Sequence, residues 1–440
     1  LSANAAPRRM ILGTLLNGAG HHEGGWRLPD SRAEEIYAVS LYRDLARLAE
    51  DAKLHFLFAA DSPSQDLRQL RKKAHRNLEP LTLLTALSLS TERIGLIGTF
   101  TTSYYEPYNL ARQLNSLDII SGGRTGWNVV TSHSGAENFT DRPHLEHGLR
   151  YRRAEEYVRL TKALWDGWDR DALAVDRAHG VWVDTEKVRA ADFHGEFLHS
   201  QGPLNLPPSP QRWPVLVQAG ASDDGKVLAA AHAELVYTAG SGLEGAYAYA
   251  EDVRDRAEAR GRGRDAVKIL PGIAPVVAET DAQAQRILDE LDDFIDNRTA
   301  LPMLEKLFGG IDLSTIGLDE RIPAELLPQT SQAWVESRYR LLRGLAVDEG
   351  YTVRQLIRVA QRGGGHWSPV GSVERVADQM EEWFRAGAAD GFNFLPLYNP
   401  GGLHAITTLL VPELVRRGLF RDEYEGSTLR ENLGFAPLEH

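Results

Sequence analysis

The feature that most constrains the fold is an alternation. Eight short β-rich runs, at 10–16, 56–60, 94–101, 125–131, 215–219, 235–238, 269–277 and 392–397, are separated by longer stretches, most with helical spacing of apolar residues. Ile36, Val39, Leu41, Leu45, Leu48 and Ala49 recur near a helical period. Leu110, Leu114, Leu117 and Ile120 mark a second such face, and Tyr151, Val158, Leu160, Leu164 and Trp165 a third. A further helix is read at 373–384, with Gly387 just past its end. Strands alternating with helices build parallel sheets, because a parallel pair needs a crossover and the helix supplies it. Eight such units without a shift in composition predict an α/β fold of the closed (β/α)8 TIM-barrel type rather than an open doubly wound sheet. An open sheet often carries a Gly-x-Gly-x-x-Gly turn after its first strand. Here Gly18, Gly20, Gly24 and Gly25 lie in NGAGHHEGGWRLPDS, a long loop without that motif and with no immediate helix.

One barrel domain is expected over 1–440, with two segments too long to be simple connections, at about 168–213 and 301–369. Both are expected over the catalytic face, where barrel insertions shape substrate pockets. The chain has no cysteine, which excludes disulfides, thiol nucleophiles, iron–sulfur clusters and Cys-ligated zinc. Its 14 histidines include no His-x-His or His-Glu-x-x-His pattern, which argues against a catalytic metal. A net charge of -12 argues against nucleic acid or an anionic membrane as partner. No apolar run has the length of a membrane span, and a cytoplasmic location is expected.

In such a barrel the chemistry sits at the C-terminal ends of the strands. The polar residues there are His21, His22 and Glu23; Asp61 and Ser62; Thr101, Thr102 and Ser103; Asn128, Thr131, Ser132 and His133; Ser222; and Tyr398 and Asn399. Hydroxyls and amides exceed carboxylates, which suits hydrogen bonds to a polar cofactor better than paired-carboxylate hydrolysis. Ser222 precedes a helical run with Gly220 and Gly225 nearby, so it is either a plain N-cap or a phosphate seat. His147 and Tyr151 share a helix face at i, i+4, for packing or for function. Asp61 ends an apolar strand, either as a cap or as a functional carboxylate. The basic run RQLRKKAHR at 68–76 reads as a solvated helix face or an attractor for an acidic substrate.

Several segments carry a resemblance. They are HHEGGWR (21–27), FLFAADS (56–62), EPLTLLTALS (79–88), YEPYNLARQLNSLDIISGGRTGWNVVTS (105–132), HGLRYRRAEEY (147–157), GPLNLPPSPQRWPVLVQAGAS (202–222), VGSVERVADQMEEW (370–383) and DGFNFLP (390–396). With these the chain resembles the bacterial luciferase-like flavin-dependent monooxygenases, in the class of the nitrilotriacetate, dibenzothiophene sulfone and pristinamycin enzymes. The resemblance implies a barrel that takes reduced FMN at its C-terminal mouth. A separate NAD(P)H:flavin reductase would supply the FMN, and dioxygen would oxidise a small molecule at a C–N or C–S centre through a flavin (hydro)peroxide. It also implies a homodimer or homotetramer. Carried over residue by residue, the flavin contacts are Asp61, Thr102 within the tandem Thr101-Thr102-Ser103, Asn128, His147, Tyr151 and Ser222. His22 of His-x-Gly-x-Trp-Arg would face the ring and substrate and donate a proton or hydrogen bond. Many relatives have a second serine just before Ser222, where this chain has Ala221. Two other readings are a deazaflavin (F420)-dependent oxidoreductase on the same fold and a non-catalytic flavin-binding barrel.

Overall fold

The computed structural model describes residues 8–438 except 66, 72–73, 75–77, 133, 141–144, 240–241 and 329–335. His133 and residues 72–73 and 75–76 of the basic run at 68–76 therefore lie outside the described residues.

Eight parallel strands close into a barrel: β1 (Ile11–Leu15), β2 (Phe56–Ala59), β3 (Gly95–Thr101), β4 (Thr125–Val130), β5 (Val215–Ala219), β6 (Leu235–Thr238), β7 (Lys268–Ile273) and β8 (Gly391–Phe394). Each pairs with its neighbours in sequence, and β1 closes the ring on β8 with Ile11 opposite Gly391 and Gly13 opposite Asn393. The helices that matter below are α1 (Val39–Asp51), α2 (Pro80–Ser88), α3 (Pro107–Ser121), α4 (His147–Trp165), α5 (Asp223–His232), α6 (Leu243–Glu258), α7 (Asp281–Asp293), α8 (Asn297–Leu307), α9 (Glu336–Val347), α10 (Val353–Gly363) and α11 (Val373–Arg385). Among the described residues no helix is long and apolar enough to cross a membrane.

Two apolar layers hold the ring. Ile97, Val215, Val217, Leu235, Leu270, Phe56 and Phe58 fill the lumen, each worth about 1.5–3 kcal/mol of burial. Phe56 fits because Gly13 has no side chain: a Cβ there would lie 2.0 Å from the Phe56 ring. The outward strand residues, such as Trp127 and Val129, pack under Leu110, Leu114, Tyr157 and Leu164 of α3 and α4. Leu110, Leu114 and Leu117 are buried as their spacing predicts, whereas Ile120 is half exposed. Along β3 the inward positions run from Ile97 to Thr99 to Thr101, and along β4 from Gly126 to Asn128 to Val130. The lumen thus becomes more polar toward its C-terminal end.

Two expectations are corrected. The run at 269–277 is not one strand. β7 stops at Ile273, Pro275 has no N–H to continue a ladder, and Val276–Ala278 pairs instead with Val370–Ser372 outside the barrel. The segment at 168–213 does not cover the catalytic face. It follows a helix, so it starts where the chain has already returned to the N-terminal end of the strands. There Gln211 Nε2 donates to Asp118 Oδ1 at 2.8 Å and to Thr125 O at 3.0 Å, and Asn115 Nδ2 donates to Pro207 O at 2.9 Å. The second segment follows a strand, and its Arg340 and Leu341 line a cavity at the C-terminal end of the barrel. Within that segment α8, α9 and α10 share an apolar core with Leu304, Phe308, Tyr339, Leu342, Leu356 and Ile357.

One buried cation makes stability depend on pH. Lys162 of α4 lies over the Trp213 ring at 4.6 Å, with His232 Nδ1 3.5 Å from its ammonium. Burial, aided by Arg262 and Arg430 and opposed by Glu234 and Asp166, pulls its pKa from 10.5 down to about 8. The folded state therefore holds this proton less tightly than the unfolded chain does. The cost is complete below pH 8 and disappears as pH rises through 10.5. Lys162→Met should unfold at higher denaturant than the parent at pH 7, by on the order of 1–2 kcal/mol, and the gap should close toward pH 10.5. A gap independent of pH would contradict this assignment.

Candidate active site

A cavity of about 1310 Å³ opens at the C-terminal end of the barrel, over β4, β5 and β6. Its floor is the last residues of the strands: Val130, Gln218, Ala219 and Thr238. One wall is the start of α4, where His147 is the first helical residue and Tyr151 lies one turn on, ring centroids 4.9 Å apart. The adjoining wall is the start of α5. Ser222 is its N-cap, and its Oγ accepts the Gly225 N–H at 3.1 Å, which leaves the hydroxyl proton for another acceptor. The first-turn N–H groups of a helix lack intrahelical partners, so this end favours an anion. Behind it, α6 contributes Tyr249, whose hydroxyl donates to Gly220 O at 2.8 Å, and Asp252, ion-paired to Lys226 at 2.7 Å. Burial works against the charged form of Asp252, yet Arg256 and Lys226 hold its carboxyl below the usual range. The loop after β2 closes a further side. Ser64 Oγ lies 3.1 Å from Ser134 Oγ, and Asn138 Nδ2 donates to Pro63 O at 2.9 Å.

Of the residues expected from the sequence, Asp61, His147, Tyr151 and Ser222 come together around this cavity. Asp61 is exposed, and His147 Nδ1 lies 2.9 Å from Asp224 Oδ2. Asn128 lies below the floor, buried on the lumen side, with Nδ2 donating to Thr99 Oγ1 at 3.0 Å and Oδ1 without a partner. Thr102 does not reach the cavity: its hydroxyl donates back to Val130 O at 3.2 Å, and its carbonyl accepts from Arg153. Its neighbour Thr101 faces the lumen opposite Val130 and accepts from Ser132 Oγ at 2.8 Å. His22 lies apart from the cavity wall. It is 1% exposed, its backbone N–H is held by Leu397 O at 2.9 Å, and its Nδ1 accepts the Gly24 N–H at 3.0 Å. The ring proton is therefore on Nε2, which faces Asp292 Oδ1 of α7 at 3.8 Å. Burial would raise the Asp292 carboxyl, but His22 and Arg362 of α10 hold it low. His22 thus joins the β1 loop to the inserted helices.

Among the cavity residues that sequence reasoning missed are Arg150, Arg340 and Leu341. Arg150 lies between His147 and Tyr151, and its i+3 spacing from His147 was a usable signal. Arg340 and Leu341 of α9 reach the cavity from an insertion some 120 residues beyond Ser222, and no local pattern marks them.

The donor set suits a flavin mononucleotide. Ser222, Tyr151 and the α5 N-terminus offer donors for a phosphate. Beneath the cavity, Asn128 Oδ1, Gln218 Oε1 and the Tyr237 hydroxyl are buried without partners, as groups awaiting a polar ring system would be. Comparison with known proteins agrees. Residues 24–390 match the family model described as luciferase-like monooxygenase. The chain is 43% identical to N-acetyl-S-(2-succino)cysteine monooxygenase of Bacillus subtilis (strain 168), over 97% of each chain. It is 42% identical to nitrilotriacetate monooxygenase component A of Aminobacter aminovorans, over 98% of this chain and 97% of that one. A crystal structure of a riboflavin lyase with modified FMN and riboflavin superposes with a TM-score of 0.84 at 30% identity, covering 98% of this chain and 96% of that one. The chain belongs to the luciferase-like monooxygenase family, and is an enzyme of that class: a flavin-dependent monooxygenase.

Proposed function

We propose that the chain is the oxygenase of a two-component system that takes reduced FMN from a separate NAD(P)H:flavin reductase and oxidises a carboxylate-bearing substrate at a C–N or C–S centre. The observation that carries this reading is the meeting of Asp61, His147, Tyr151 and Ser222 around one cavity. When bound, reduced FMN would supply two electrons and the site at which dioxygen is activated. The chain's own residues do the rest. Ser222 and the first turn of α5 hold the phosphate, flanked by Tyr151 and His147. Asn128 and Thr101 order the lumen end, and Asp61 meets the polar edge of the ligand. His22, through Gly24 and Asp292, fixes the β1 loop against the insertion rather than donating a proton from the cavity wall. The α9 helix closes the substrate side with Leu341 and a cation, Arg340, and limits entry of water.

The substrate class is supported by the relatives' names. A succinylated cysteine and nitrilotriacetate each carry several carboxylates beside a C–S or C–N bond. The test is product formation with reductase, FMN and NADH on thioethers and tertiary amines with and without carboxylates. Oxygenated product is expected from the carboxylated members, and Arg340→Gln should raise their KM about tenfold with little change in kcat. Hydrogen peroxide as the only product across the panel would contradict the proposal.

A further inference from the structure

We propose that Arg150 is the cationic ligand of the flavin phosphate and makes this site select FMN over riboflavin, an inference that rests on the flavin reading above. Arg150 lies on the first turn of α4, beside Tyr151, and faces the cavity. Nη1 donates to the carbonyl of Leu145 at 2.7 Å, while Nε is buried with no partner. Among the described residues its guanidinium forms no ion pair. The neighbouring cation Lys226 is spent on Asp252 at 2.7 Å, and the His147 ring is turned to Asp224 at 2.9 Å. A half-buried guanidinium without a counter-charge is costly unless an anion arrives.

The other side of the seat shows why one cation is needed. The first turn of α5 carries Asp223 and Asp224, whose charges oppose a dianion at Ser222. Arg256 meets Asp223 at 3.1 Å, so its charge is spent there, and the His147 ring is engaged by Asp224 at 2.9 Å. Ala221 brings no hydroxyl to the position before Ser222. Backbone N–H groups and two or three hydroxyls can orient a phosphate but cannot balance its charge. Arg150 can, with a planar fork matched to two phosphate oxygens. Its place on the barrel framework beside Ser222, rather than on the insertion with Arg340, assigns it to the cofactor's phosphate and not to a substrate carboxylate.

The test is anaerobic binding of reduced FMN and reduced riboflavin to the full-length parent, Arg150→Gln and Arg150→Lys, with thermal unfolding of each. The parent should prefer FMN. Arg150→Gln should lose roughly 30-fold in FMN affinity and leave riboflavin unchanged, with an unfolding midpoint near the parent's. Arg150→Lys should fall between, keeping the charge without the fork, and added salt should weaken FMN more in the parent than in Arg150→Gln. A parent that binds riboflavin as well as FMN overturns the phosphate seat itself. A parent that discriminates while Arg150→Gln discriminates equally overturns the role of Arg150 alone. Equal loss of both flavins in Arg150→Gln reduces the residue to packing and also overturns it.

Discussion

Ser222→Asp should weaken binding of reduced FMN by on the order of 100-fold and leave the fold intact. Aspartate caps a helix as well as serine does, so the Gly225 N–H keeps its acceptor and the α5 dipole gains a favourable charge. Stability should stay within about 0.5 kcal/mol of the parent. What changes is the field where the phosphate sits. A third carboxylate would join Asp223 and Asp224 at one helix end, and a like charge that close costs several kcal/mol. Ser222→Ala, by contrast, removes only one donor and should cost nearer tenfold. Equal FMN affinity in the parent and Ser222→Asp would show that the phosphate does not sit at this helix.

The second large effect is on the fold. Gly391→Ala should destabilise the chain by about 4 kcal/mol or more, and soluble protein should be scarce. A Cβ at Gly391 would lie 1.8 Å from Ile11 O and 2.4 Å from Ile11 N. Those atoms are backbone of β1, and no side chain can turn aside. Nor can β1 retreat, because Leu12 O accepts from His55 N at 2.7 Å and Met10 N donates to Leu419 O at 2.8 Å on its other connections. The seam between β1 and β8 is where the barrel closes, so the clash opposes closure itself. Denaturant unfolding measures this; a midpoint close to the parent's would mean that the strands can separate without cost.

The barrel was legible because its signals are local. Short β-rich runs and helical apolar faces depend on a few residues each, and closure followed from their number. The error at 269–277 was also local: Pro275 was in view, and its missing N–H was reason enough to end the strand. The misplaced insertion at 168–213 needed a topological rule instead. A segment after a helix belongs to the N-terminal face, and one after a strand to the catalytic face. The site was partly legible. Helix periodicity put His147 and Tyr151 on one face and cap chemistry put Ser222 at a helix start, but it took the resemblance to join them in one site. Thr101 and Thr102 differ by which side of β3 they face, and the strand's register decides that. The loop that holds His22 turns its ring toward α7, a partner 270 residues away that no local pattern reveals. Arg340 depends on how three helices pack over the mouth, and no short pattern encodes that.

The most direct test of the central claim is anaerobic titration of the purified chain with reduced FMN, with a deazaflavin titrated in parallel. Saturable binding of one reduced FMN per chain, lost in Ser222→Asp, with the deazaflavin bound far more weakly, is the predicted result. No binding of reduced FMN, or tight binding of the deazaflavin in its place, would contradict it.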